Sequence, residues 1–303
     1  MVATRISPGA TVLDPTGITV ATSTAAVSNA ALAFNGTNHL ITWTEFDGAD
    51  YDVFGARVAA DGSVVDAIPL SIAATPYTDF VSAVASDGTN FLVVWSDDPS
   101  NTASFDLRGA RVRADGTIVD PGGFAISAAA DGQVGASVSF DGTNYMVTWE
   151  DNRGADRDIY AARVATNGSV LDPGGVVVCA VARLQTSPAV VFSGTQHMIA
   201  WTDDRVGSTD IYAARVETNG TVVDPDGFLV TTAGRSQVPK VASDGTNYLV
   251  VWEHAVSIDG DIYAARVDPT GVVLDPAGIA VSTESTDERE LAVAFDGTNY
   301  LIV

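Results

Sequence analysis

Acidic side chains recur in pairs at two fixed positions, one two residues beyond a tryptophan and one at the start of the next apolar run. They are Glu45 with Asp52, Asp97 with Asp106, Asp151 with Asp158, and Asp203 with Asp210, and in a fifth copy His254 stands with Asp261. Like charges facing each other at a strand end destabilise it unless something neutralises them. A hard cation such as calcium, which takes about six to eight oxygen ligands, is one neutraliser, with Asp47, Asn152, Asp204 or Asp259 and loop carbonyls completing its shell. An arginine is another, and Arg153 and Arg205 lie inside two of these loops. No loop carries the spaced D-x-D-x-D-G pattern of a dedicated calcium loop, and Asp and Asn in turns often cap their own backbone. The expectation is that no cofactor is required and that calcium is the candidate metal, held by these acids.

A second set of polar residues opens each repeat: Asn29, Asp79, Gln133, Gln185, Gln237 and Glu288, with Arg235 and Arg289 nearby. Amides and acids set around a channel mouth suit a small polar ligand, a sugar, one ion, or ordered water. His39 and His197 occupy a slot filled by Tyr or Phe in sister repeats and read as packed aromatics. His254, which Asp261 could orient as a general base, has no identifiable nucleophile beside it. Arg108 replaces the aromatic found at Phe54, Tyr160, Tyr212 and Tyr263, which sets it across from Trp95 as a cation–π candidate. Its repeat also has the longest loop, Ser96 to Asp106. Asn35, Asn167 and Asn219 begin glycosylation-like triplets, but each stands where sister repeats have Asp-Gly, so turn geometry accounts for them.

The elements that must position these groups come from internal repetition. The tryptophans Trp43, Trp95, Trp149, Trp201 and Trp252 are spaced 52, 54, 52 and 51 residues apart. Within one unit, "ASVSF", "NYMVTW", "DIYAARV" and "SVLDPGGVVV" read as four strands, with Asp-Gly and Asn-Gly turn signals after the first and third. Four-stranded antiparallel units repeated around a channel are propeller blades. Consecutive apolar positions such as "YLVVW" suit a second strand buried on both faces. Arg5, Arg57, Arg111, Arg163, Arg215 and Arg266 are each followed nine residues later by Asp14, Asp66, Asp120, Asp172, Asp224 and Asp275. With a two-residue turn between them, each Arg falls directly opposite its Asp as a structural ion pair.

The chain therefore reads as one all-β domain over 1–303, a six-bladed propeller with blades at about 26–76, 77–131, 132–182, 183–234 and 235–285. The sixth blade is expected from 286–303 with 1–25, the N-terminal strands (2–20) pairing with the C-terminal strands (287–303) so that the ring has no open edge. On these motifs the chain resembles six-bladed β-propellers built from "FDGTNYLVVWED", "DIYAARV" and "DGTVLDPGG" repeats in exported or surface proteins of bacteria. The resemblance implies the architecture and an extracellular or cell-surface setting. It implies no activity.

Composition narrows the partners. With 38 acids against 15 bases the net charge is −23, and Lys240 is the one lysine. Nucleic acid and anionic membranes are poor partners, so no nucleic acid is expected, and no apolar run is long enough for membrane insertion. Acid excess also suits proteins working in salty water. Cys179, the only cysteine, allows neither a disulfide framework nor a cysteine zinc site. No signal peptide is seen at the N-terminus, so an export signal would lie outside this sequence. Near-uniform repeats point to a monomeric, non-catalytic binding or structural scaffold with a protein or glycan partner. Lectin-like carbohydrate binding at repeated inter-blade pockets is the first alternative. A metal-dependent hydrolase or lyase with one site on the channel axis is the second, and it requires one blade to be chemically distinct.

Overall fold

The computed structural model describes residues 1–303 except 8, 10, 24, 47, 100–103, 232–233, 256–259 and 284–290. Among the described residues every regular element is a strand. Twenty strands form five four-stranded antiparallel sheets, each built from neighbours in sequence. The first sheet comprises Val27–Phe34, Asn38–Phe46, Tyr51–Ala59 and Leu70–Ala73, and the second Asp79–Ser86, Phe91–Asp97, Asp106–Val112 and Phe124–Ser127. The third is Gln133–Phe140, Asn144–Asp151, Asp158–Ala165 and Val176–Cys179, and the fourth Gln185–Phe192, Gln196–Asp203, Asp210–Glu217 and Phe228–Thr231. Ser236–Ser243, Tyr248–Ala255, Gly260–Val267 and Ile279–Ser282 make the fifth.

Packing divides the chain into two compact units, Met1–Val134 with Thr166–Ser169, and Gly135–Ala165 with Val170–Val303. In each unit the core lies between successive sheets. Leu40, Val53 and Ile72 of the first sheet meet Phe91, Val93 and Val112 of the second. Met146, Ile159 and Val178 meet Ile199 and Trp201 in the second unit, and Ile211 and Val230 meet Tyr248 and Trp252. The fourth sheet's second strand is thus apolar on both faces because it has a sheet on each side, Ile199 and Trp201 packing with the third and Met198 and Ala200 with the fifth.

The hairpin between third and outer strands differs from expectation by one residue. Val164 bridges Val170, and Leu171 N–H donates to Arg163 C=O, so Arg163 opposes Leu171 rather than Asp172. The cause is a longer turn. In the fourth sheet Glu217 N–H donates to Thr221 C=O and Gly220 N–H to Glu217 C=O, with Gly220 at φ 90°. This is a three-residue loop closed by a left-handed glycine, the bulged hairpin, and its extra residue shifts the register.

The two chain ends also differ. Val2–Ala3 pairs with Ile18–Thr19, and Val293–Phe295 pairs with Tyr300–Ile302, as two separate two-stranded sheets. Among the described residues each end pairs only within itself, so the expected joining of 2–20 to 287–303 in one sheet is not seen, and 287–290 lie outside the described residues.

Candidate functional site

Trp43, Trp149 and Trp201 anchor the strand end that carries the acids. In a strand, residues i and i+2 share a face, so the indole N–H meets the carboxylate two residues on. Trp149 Nε1 donates to Asp151 Oδ2 at 2.8 Å, Trp201 Nε1 to Asp203 Oδ2 at 2.8 Å, and Trp43 Nε1 to Glu45 Oε2 at 3.0 Å. The third strand then brings the second acid opposite: Glu45 to Asp52, Asp97 to Asp106, Asp151 to Asp158, Asp203 to Asp210, and His254 to Asp261. Sequence spacing had placed these pairs.

In the third and fourth sheets arginine neutralises them. Arg153 Nε and Nη2 donate to the two oxygens of Asp151 at 2.7 and 2.6 Å, and its guanidinium lies 4.2 Å from the Tyr160 ring centre. Arg205 repeats this on Asp203 at 2.9 and 2.6 Å, 3.9 Å above Tyr212, and also donates to Cys179 Sγ. Burial pushes the Cys179 thiol up to about 11. Asp158 and Asp210 are held above the usual carboxylate range, mainly by burial, and Asp210 Oδ1 accepts Gly234 N–H at 3.0 Å. In the first sheet Ser23 donates to Glu45 Oε1 at 2.6 Å. Among the described residues no three His, Cys, Asp or Glu side chains are grouped so as to hold a metal ion. Asp47 and Asp259 lie outside the described residues.

The channel-mouth residues differ in their surroundings. Gln133 and Gln185 are fully buried and their amides turn back on their own loops, Gln133 Nε2 to Asp131 C=O at 3.1 Å and Gln185 Nε2 to Arg183 C=O at 3.0 Å. Asn29 is exposed with a left-handed backbone, φ 53°, and Gln237 sits opposite Glu253. Glu288 and Arg289 lie outside the described residues. Asn29, Ser187 and Val238 mark a bulge in the first strand that sequence reasoning missed. Its turned N–H groups reach the preceding sheet, Ser187 to Glu150 Oε1 at 2.8 Å and Val238 to Thr202 Oγ1 at 3.0 Å.

The second sheet breaks the pattern. Asp79 takes the register position of Gln133 and Gln185, opposite Asp97, which is itself opposite Asp106. Three carboxyls therefore cross three neighbouring strand ends. Asp79 and Asp97 are buried, and Asp106 is half-buried. Arg108 reaches only to 3.6 Å from Asp97 Oδ2, spending its other donors on Gly122 and Gly123 carbonyls at 3.1 and 2.9 Å, so it acts on the acid rather than as the expected cation–π partner of Trp95. Burial first, and the Asp97 charge second, push the Asp79 carboxyl up to about 7, against a hydrogen bond from Thr75 Oγ1 at 3.1 Å. Asp97 and Asp106 are also raised, in both cases mainly by burial. With both acids ionised, Asp79 Oδ1 and Asp97 Oδ1 are buried without a hydrogen bond; a proton on Asp79 shared with Asp97 satisfies both. The pair titrates as a unit.

The remaining residues have structural surroundings. His197 is buried against Phe192, 5.0 Å between ring centres, with Nδ1 3.1 Å from Ser139 Oγ, and burial lowers its pKa to about 4. His39 packs on Phe34 at 4.5 Å. His254 lies edge-on to Tyr263 at 5.5 Å with Nδ1 3.4 Å from Ser236 Oγ. All six Arg and Asp partners meet: Arg5 and Asp14, Arg111 and Asp120, Arg163 and Asp172, and Arg266 and Asp275 at 2.8 Å, Arg57 and Asp66 at 2.6 Å, and Arg215 and Asp224 at 2.7 Å.

No protein-family model matches the chain, and no curated protein matches it in sequence. Solved structures do match in fold. A structure from a study of two prolyl endopeptidases is 16% identical over 88% of this chain and 36% of that one, with a TM-score of 0.51. A thermostable family-43 glycoside hydrolase is 12% identical over 88% and 97% of the two chains at 0.49, and a Bacillus subtilis arabinanase 11% identical over 81% and 97% at 0.43. At these identities the likeness is one of fold: all-β, with repeated four-stranded antiparallel sheets. The expectation of a non-catalytic scaffold is corrected at the ground it rested on: near-uniform repeats had suggested it, and the second sheet, with Asp79 opposite Asp97 and Asp97 opposite Asp106, is not uniform with the rest.

Proposed function

We propose that the chain is a hydrolase of glycosidic bonds in neutral carbohydrates, worked by the carboxyl row of the second sheet. The observation that carries this reading is the carboxyl row itself, buried Asp79 opposite buried Asp97 and Asp97 opposite the more open Asp106, where burial pushes the Asp79 carboxyl up to about 7. Glycoside hydrolysis needs two carboxyl groups whose environments push their pKa values apart. The Asp79 and Asp97 pair gives its proton to the departing glycosidic oxygen as the C–O bond breaks. Asp106 removes a proton from the water whose oxygen joins the anomeric carbon. A chain of net charge −23 repels anionic glycans, so the substrate is uncharged.

We further propose that the repeats make six blades, the sixth from 2–20 with 287–303, that the protein is a monomer, and that it works outside the cell. Support comes from the repeat spacing. Extracellular glycans are the matching partner.

The test is reducing-sugar release from a panel of neutral arabinans, fructans, xylans and glucans by the wild type and by Asp79→Asn. Turnover reduced at least about 100-fold in the variant, with an alkaline limb near pH 7 in the wild type, supports the reading. Equal rates in the two proteins, or no turnover on any of the panel, overturns it.

A further inference from the structure

Four aromatic rings run side by side at the strand ends of the first two sheets, within the N-terminal unit. Phe46 meets Tyr51 at 5.1 Å between ring centres, Tyr51 meets Phe80 at 5.2 Å, and Phe80 meets Phe105 at 6.1 Å, the pairs tilted by 37° to 52°. All four residues are half-buried, which leaves the row partly open. Three of them are chain neighbours of acids: Tyr51 of Asp52, Phe80 of Asp79, and Phe105 of Asp106. The aromatic row therefore borders the carboxyl row at the distance of neighbouring Cα atoms, about 3.8 Å. The third to fifth repeats have no such row. The position of Tyr51 and Phe105 holds Arg157, Thr209 and Gly260 there, and that of Phe80 holds Val134, Thr186 and Gln237. Packing between sheets does not demand the aromatics, since those later sheets build their shared cores without them. A departure confined to one place in near-uniform repeats is the kind that function imposes.

We propose that this row is the binding path of a neutral glycan chain, leading successive sugar rings past the Asp79, Asp97 and Asp106 carboxyls. The inference rests on the hydrolase reading above and adds the path of the substrate and the side chains that select it. A ligand here meets apolar ring faces and carboxyl oxygens together. A purely apolar molecule would strip water from the acids and put nothing in its place. A sugar ring matches both, laying its C–H face on the negative face of an aromatic ring and turning its hydroxyls to the carboxyls. A small organic cation also gains from rings and negative charge, but it needs rings that converge on one point. Here each ring meets the next in line, and a line suits an elongated ligand. Tyr51 and Phe80, the inner two, join the first sheet to the second and take the central sugars.

The experiment measures binding apart from turnover, by calorimetric titration of the full chain carrying Asp79→Asn with arabinan, fructan, xylan and glucan oligosaccharides of increasing length. Affinity for one series is expected to rise with length until the row is covered. Tyr51→Leu and Phe80→Leu keep an apolar side chain and remove the ring. Each is expected to weaken that affinity about 10-fold or more, while circular dichroism and thermal unfolding show the fold intact. In the active chain the same substitutions are expected to raise KM and leave kcat, a split that a merely structural role would not produce. Equal affinities in all three proteins, or no binding of any series, would overturn the path. Turnover with KM unmoved by either substitution would keep the hydrolase and overturn the path. Glycan binding weakened by both substitutions, with no turnover in the wild type, would keep the path as a binding site and overturn only the hydrolase reading. Tetramethylammonium bound in place of every glycan would overturn the occupant.

Discussion

At the residue scale, the same acid plays opposite parts according to what stands beside it. Asp151 and Asp203 are fully buried yet fully compensated, each held by an indole N–H and a bidentate arginine stacked on a tyrosine. Such an arrangement is structural, since nothing is left for a ligand to neutralise. Asp79 and Asp97 compensate each other only through a proton, and that makes stability depend on pH. The folded pKa of Asp79 is raised, to about 7 from 3.8. Between those values the native state holds a proton that the unfolded chain has released, so stability falls as pH rises from about 4 to 7 and is flat above. The loss attributable to this group is on the order of 4 kcal/mol across that window. Urea unfolding of the wild type and Asp79→Asn at pH 4, 5.5 and 7.5 checks it. The variant is expected to gain on the wild type steadily with pH, and parallel curves would show that Asp79 ionises normally.

At the element scale, the hairpin between third and outer strands is a fastening between sheets. Five of the six repeat arginines, Arg5 to Arg215, reach the turn of the next repeat: Arg57 Nη1 donates to Ala114 C=O at 2.6 Å, and a Cβ placed on Gly220 would lie 3.0 Å from Arg163 Nε. Gly220 thus answers two demands, a left-handed backbone and room for the neighbour's guanidinium. Gly142, at φ 93° in the turn after a first strand, answers only the first, for nothing lies within 4 Å of its missing Cβ. Gly220→Ala is therefore expected to destabilise more than Gly142→Ala. The common strain costs about 1–2 kcal/mol, and the displaced Arg163 adds to it in Gly220→Ala alone. Denaturant midpoints measure the difference, which should vanish in an Arg163→Ala background. Strand order, the two-sided burial of the second strand and the partner of every repeat arginine were legible in the sequence because tryptophan and arginine recur at fixed spacing. The register around Asp172 was not, because Asn167-Gly168 fits both a two-residue and a bulged three-residue turn. The inward turn of Gln133 and Gln185 was hidden too, since it depends on loop carbonyls at Asp131 and Arg183 that no side-chain pattern announces.

At the scale of the whole molecule the question is which electrostatic effect wins, short-range pairing or long-range repulsion. The six repeat ion pairs are at 2.6 to 2.8 Å, inside the range where screening is weak, and in five of them the arginine side chain is 30% exposed or less. The excess of 23 negative charges repels at longer range than these contacts, where screening over the Debye length, about 10 Å at 0.1 M salt, is strongest. Added salt therefore removes more repulsion than attraction, and the melting temperature is expected to rise between 20 mM and 0.5 M sodium chloride and then level off. Calcium at matched ionic strength is expected to add nothing beyond this at Asp151 and Asp203, whose oxygens already receive arginine. Differential scanning calorimetry in the two salts separates the cases. A melting temperature that falls with sodium chloride would mean that the ion pairs outweigh the net charge, and a rise specific to calcium would place a cation among the acids of the other sheets.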